Sequence, residues 1–202
     1  MRLRAAEEQD AAGVLAIYEP VVRDTAITFE LDPPTPGEMR TRIAETLCRF
    51  PWLVCEHAGE ILGYAYATEH RARAAYRWCV EVSVYVHERS RRRGVARALY
   101  LALFDLLRLQ RFQNAYAGIT LPNPASVHLH EGLDFALVGV YRDVGFKLGA
   151  WHDVGWWALA LGPAAPPEGP PLEFAKVRET PEVAATIRRG RAPGAQQDRI
   201  RD

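Results

Sequence analysis

Residues 78–97, WCVEVSVYVHERSRRRGVAR, join an alternating strand to a helix through an arginine-rich turn. Trp78, Val80, Val82, Val84 and Val86 fall on one face, and Cys79, Glu81, Ser83 and Tyr85 fall on the other. The turn Arg89-Ser90-Arg91-Arg92-Arg93-Gly94 runs into a helical pattern with Val95, Leu99, Leu103, Leu106 and Leu107 on one side. A strand–turn–helix of this kind presents unpaired backbone N–H groups and a positive helix end. With arginines added, the pattern points to binding of a phosphate or pyrophosphate.

Outward from this unit, the chain reads as one domain with a tail. Arg2–Ala5 is a short first strand, and residues 7–22 carry Val14, Leu15, Ile17, Tyr18 and Val21 at helical spacing, with Pro20 expected to end or bend the helix. Thr25–Leu31 leads into the turn-forming run 32–36, and Glu38–Phe50 is a second helix. A hairpin follows, residues 52–56 and 61–67 around Ala58-Gly59-Glu60. The loop HRARAAYRW, residues 70–78, precedes the central strand and concentrates arginines suited to forked contacts with oxyanions. Beyond the central helix come a strand at 113–119, a helix opened by Asn123-Pro124 and closed near Gly132, and strands at 135–141 and 154–161. Residues 142–153 read as a polar loop between them. The order β-α-α-β-β-β-α-β-α-β-β implies an α/β (α+β) domain, a mixed sheet of six to seven strands with helices on both faces. The domain spans 1–161. Residues 162–202, rich in proline, alanine and charge, read as mostly disordered, with room for a brief helix at 183–187.

Charge narrows the function. Lys and Arg number 25 and Asp and Glu 25, a formal net charge of zero that argues against a nucleic-acid-binding domain. No apolar run approaches membrane-spanning length and MRLRAAEEQDAAG lacks a signal core, so a soluble cytoplasmic protein is the simplest reading. Three cysteines, 48, 55 and 79, are too few and too irregular for a disulfide framework or a zinc site, and no metal is expected.

The segment Arg91-x-x-Gly94-x-Ala96 fits the Q/R-x-x-G-x-G/A signature and resembles the GNAT superfamily of acetyl-CoA-dependent N-acetyltransferases. PWLVCEHAGEILGYAYA, RARAAYRW, VEVSVYV, RRRGVARALY, LPNPASVHLHEGLDF and GFKLGAWHDVGWW resemble its phosphinothricin N-acetyltransferase branch over residues 27–161. The resemblance implies the acyl-CoA N-acyltransferase fold and acetyl-CoA as co-substrate. The acceptor would be the α-amino group of a small acidic amino-acid analogue such as phosphinothricin, methionine sulfoximine or methionine sulfone. It also implies a homodimer.

Residue roles come from the same resemblance. Glu81 matches the family's catalytic glutamate, although a glutamate on an alternating strand is, taken alone, more often merely solvated. His130 matches a catalytic histidine, and His128 is read as surface. Val84, Tyr85 and Val86 would pair with the pantetheine arm, and Arg91, Arg92, Arg93, Gly94, Val95 and Ala96 would cradle the pyrophosphate. Asn123 matches a cofactor contact but serves equally as a helix cap. Phe29, Arg71, Arg73, Tyr76, Tyr85 and Val154 would line the substrate pocket. The sequence departs from the family at Thr68-Glu69-His70 (usually Gly-Pro-Trp), Val82-Ser83 (usually Ser-Thr), Asp134 (usually Gly) and Ala96. Two other readings compete: acetylation of a protein amino terminus or another amine, and a non-catalytic CoA- or nucleic-acid-binding module.

Overall fold

The computed structural model describes residues 1–163 and 167–190. Seven strands form one sheet in the order β1-β2-β3-β4-β5-β7-β6. They are β1 (Arg2–Ala5), β2 (Trp52–His57), β3 (Glu60–Glu69), β4 (Cys79–Val86), β5 (Asn114–Leu121), β6 (Ala136–Lys147) and β7 (Ala150–Ala160). All neighbours are antiparallel except the central pair β4–β5. Helices α1 (Ala11–Asp24), α2 (Pro36–Arg49), α3 (Val95–Leu109) and α4 (Pro124–Glu131) follow the order expected from the periodicity.

The alternation of β4 sorts the two faces. Val80 and Val82 are buried beside α3, whose stripe Val95, Leu99, Leu103, Leu106 and Leu107 is buried throughout. On the opposite face Trp52, Tyr64 and Tyr66 stack across β2 and β3, Tyr85 of β4 stacks on Tyr64, and Tyr18 of α1 caps Tyr85 edge-on at 5.1 Å. Aromatic pairs at such distances add to the area they bury. A capping box, Thr35 with Glu38, starts α2, and Pro36 supplies its first turn.

Three expectations are corrected. Helix α1 continues past Pro20 to Asp24, because packing of Tyr18 and Val22 holds the last turn although proline withdraws one hydrogen bond. Residues 142–153 are no loop: β6 runs to Lys147 and β7 starts at Ala150. Leu148 and Gly149 close the hairpin at φ 52° and 78°, the conformation of a primed two-residue turn. A bulge between Tyr141 and Gly145 breaks the alternation that would have announced the strand.

The third correction concerns the tail. Phe174–Val177 (α5) and Pro181–Arg189 (α6) are helical, and Phe174, Val183 and Thr186 are buried. The stretch leading into them is strapped down by Gln110, whose amide donates to Arg49 O and to Leu172 O at 2.9 and 2.6 Å. Trp78 Nε1 donates to Gly169 O at 3.0 Å. The rest of the stretch expected to be disordered, 164–166 and 191–202, lies outside the described residues.

Phe174→Ala should therefore lower the unfolding free energy by roughly 3–5 kcal/mol, read from urea midpoints; a tail that did not pack would leave them unchanged. A second prediction comes from Asp10, which accepts from Arg4 Nη1 and Nη2 at 2.6 and 2.7 Å and from Glu7 N at 2.8 Å. Burial alone would raise its pKa, but these bonds and the Arg4 charge hold it below the usual aspartate range. Its contribution to stability is full above about pH 4 and lost as pH falls through the depressed value. Asp10→Asn should remove that acid-side component and leave a shallower fall in stability between neutral pH and strong acid.

Candidate active site

Strands β4 and β5 pair at only three positions, Cys79–Asn114, Val80–Ala115 and Glu81–Tyr116. Beyond Glu81 they part, and on that side the main-chain groups of β4 have no strand partner. Ser83, Val84, Tyr85, Asn123, Ser126 and His130 line the cleft that opens there. Below it, Arg92 at φ 58° and Gly94 at φ 77° lead into the first turn of α3. Alternating handedness of this kind turns successive N–H groups inward as an anion nest. Gly94 caps α3 without a side-chain bond, so the first-turn donors of Val95 and Ala96 stay available. Arg91, Arg92 and Arg93 are exposed and form no ion pair among the described residues.

Glu81 stands at the point of parting. Its Oε1 accepts from His70 Nδ1 at 3.1 Å and from Arg71 Nη1 at 3.3 Å. The His70 ring stacks on Tyr116 at 4.3 Å and meets the edges of Tyr76 and Trp156. Arg71 lies over Trp156, 5.7 Å from guanidinium carbon to ring centroid. The Trp156 Nε1 donor is buried and has no acceptor among the described residues.

His130 is 3% exposed on α4. Nδ1 lies 2.8 Å from Ser126 O, and a carbonyl only accepts, so Nδ1 carries the proton. Nε2 therefore accepts from the Tyr100 hydroxyl at 3.1 Å. Burial lowers the His130 pKa, partly offset by the Ser126 carbonyl, so the ring is neutral near pH 7. His128 is exposed.

The remaining residues divide. Arg71 and Tyr76 join the Glu81 cluster, whereas Arg73 is exposed with no side-chain bond among the described residues. Tyr85 sits in the tyrosine stack, and burial raises its pKa well above the phenol range. Phe29 is not among the residues lining the cleft; it lies 6.3 Å from the His152 ring and directly over Gly145. Val154 sits between Thr120 and Tyr141 in the sheet. Asn123 Oδ1 accepts from Ser126 N at 3.1 Å, so the cap is formed, and the residue also lines the cleft. Asp134 adopts φ 66°, the left-handed region that favours glycine and that aspartate tolerates.

This geometry has counterparts among known proteins. The family model of the acetyltransferase (GNAT) domain matches residues 3–156. The chain belongs to the GNAT acetyltransferase family. It is 39% identical to phosphinothricin N-acetyltransferase of Streptomyces viridochromogenes over 83% of this chain and 91% of that protein. It is 33% identical to the L-methionine sulfoximine/L-methionine sulfone acetyltransferase of Salmonella typhimurium, over 83% and 99%. The solved phosphinothricin acetyltransferase of Sinorhizobium meliloti, in complex with acetyl-CoA, superposes with a TM-score of 0.79 at 34% identity, covering 83% and 94%. Within the GNAT family the chain thus falls in the phosphinothricin N-acetyltransferase branch.

Sequence reasoning missed Tyr100, Ser126 and Tyr116 as members of the site and treated His70 only as a departure. Tyr116 was legible as an outward position on an alternating strand, but nothing local paired it with His70. A Cβ at Gly145 would collide with the Phe29 ring. Gly145→Ala should displace Phe29 and raise the KM for the amine several-fold while leaving that for acetyl-CoA unchanged; equal effects on both would detach Phe29 from the acceptor pocket.

Proposed function

We propose that this chain transfers the acetyl group of acetyl-CoA directly to the α-amino group of a small amino acid carrying a second acidic group. Phosphinothricin, methionine sulfoximine and methionine sulfone are the nearest acceptors. The observation that carries the reading is the convergence of Glu81 and Arg71 where β4 and β5 part.

The residues present fit the donor. The nest at Arg91–Ala96 and the three exposed arginines suit a pyrophosphate, and the unpaired edge of Val84–Val86 suits an amide-bearing arm. Acetyl-CoA supplies a thioester, whose carbonyl carbon accepts an amine nucleophile. Backbone N–H groups of that β4 edge stabilise the oxygen as charge develops on it. The ammonium has no lone pair until it loses a proton, and Glu81 drives that loss, directly or through a group it holds. Arg71, with Arg73, Tyr76, Phe29 and Val154, holds the acidic end, and the unpaired Trp156 donor adds a further contact. His130 and Tyr100 support the cleft wall they line, the Nδ1 proton being held by Ser126 O and the phenol proton by Nε2. Burial raises the Cys79 thiol, with the Asn114 bond opposing it, which disfavours an acyl-cysteine route.

The active form is a homodimer. Strand β6 is an edge of the sheet, yet Leu137, Val138, Tyr141, Phe146 and Leu148, with Trp151 of β7, are all at least half exposed. An apolar edge of that extent calls for a cover, which a second copy supplies. The compartment is the cytoplasm, in keeping with three free cysteines. Among the described residues no helix is long and apolar enough to cross a membrane.

A thiol-release assay with acetyl-CoA and each analogue, glutamate included, tests the reading. One analogue should turn over, and Glu81→Gln should lower kcat/KM by roughly 10²-fold. Turnover of a peptide amino terminus in place of every analogue would overturn the acceptor class.

A further inference from the structure

We infer that His70 is the base that takes the proton from the amine, and that Glu81 acts through it. The inference rests on the amine-acetylating reading above and names the atom that receives the proton. His70 follows the last residue of β3 and folds back over Glu81, whose strand position pairs with Thr68. An ionised carboxylate only accepts, so the 3.1 Å contact to Glu81 Oε1 places the imidazole proton on Nδ1. Nε2 is then the basic nitrogen, and it makes no hydrogen bond among the described residues.

The ring cannot turn to reverse these roles. Its side chain is 11% exposed, stacked 13° from coplanar on Tyr116 of β5 and edge-on to Trp156 of β7 and Tyr76. The charged or titratable groups facing it are Glu81 on β4, Arg71 on its own loop, and the phenols of Tyr76 and Tyr116. Arg71 shares Oε1 with His70 at 3.3 Å and its Nη1 also donates to His70 O at 2.9 Å. The carboxylate is thereby fixed from two sides. As a class, imidazoles are stronger bases than carboxylates and are better suited to taking a proton from an amine.

The step balances as follows. Nε2 takes one proton from the ammonium, and the imidazolium so formed is paired through Nδ1–H with Glu81. The freed lone pair attacks the thioester carbon, the C–N bond forms, and the C–S bond breaks with its electron pair leaving on sulfur. The second amine proton goes to that sulfur, and the imidazolium returns the first to water.

Two measurements test this. In the pH profile of kcat/KM, the protein should show an acid-side limb that depends on His70. His70→Gln should abolish that limb and cost roughly 10²-fold in kcat/KM, with the KM for acetyl-CoA unchanged. A His70→Gln enzyme with the same rate and limb would overturn the inference. If Glu81→Gln were impaired at the same time, Glu81 would remain the direct base and the acetyltransferase reading would stand. Independently of turnover, long-range 1H–15N spectra of the unmodified protein should show the ring identified by its contacts to Tyr116 protonated on Nδ1 and bare on Nε2. A proton on Nε2 instead would overturn the inference even where no analogue is acetylated, which would itself overturn the acceptor reading.

Discussion

The parting of β4 and β5 is the constraint on which the site depends. Each strand is fully engaged on its outer side, β4 by β3 over seven residue pairs and β5 by β7 over eight. Their shared side holds for three pairs. The parallel pairing requires a crossover connection, and α3 with the arginine turn is that crossover. One topological fact therefore sets Glu81, the unpaired β4 edge and the arginine turn in succession along a single strand–turn–helix unit. The hydrogen bonds given up by the two strands leave main-chain groups that a ligand can use.

Around the opening, the walls are held by contacts between segments remote in sequence. Buried Lys147, at the end of β6, donates to Val22 O at 2.6 Å and Thr28 O at 2.8 Å. It thereby ties the loop bearing Phe29 to the hairpin bearing His152, whose Nε2 in turn meets Lys147 O at 3.0 Å. On the other side, Trp78 and Gln110 bind the segment beyond Gly162. The loop with Arg71 and Tyr76 thus runs into a strand start whose indole is anchored to the far end of the chain.

The central unit was legible because its information is local. Alternation marked β4, the Val95–Leu107 stripe marked α3, and arginines beside Gly94 marked the turn. Glu81 was legible only with family resemblance, since a carboxylate on a polar strand face carries no sign of its partners. The hairpin beyond Tyr141 was hidden by its bulge, and the helical turn at Phe174 by how few apolar residues it needs, while the brief helix allowed at 183–187 extends over Pro181–Arg189. Phe174 and Val183 suffice once the core gives them a place to bury.

By itself the sequence determined most of the elements, their order, the mixed sheet and the arginine-rich turn ahead of α3. Each of these is encoded in periodicity or in a residue that its backbone conformation requires. The tertiary structure alone decided that His70, Arg71, Tyr116 and Trp156 surround Glu81, and that Tyr100 and Ser126 fix the tautomer of buried His130. Those residues lie on different strands, loops and helices. Their proximity follows from sheet order and strand register, which no local pattern records.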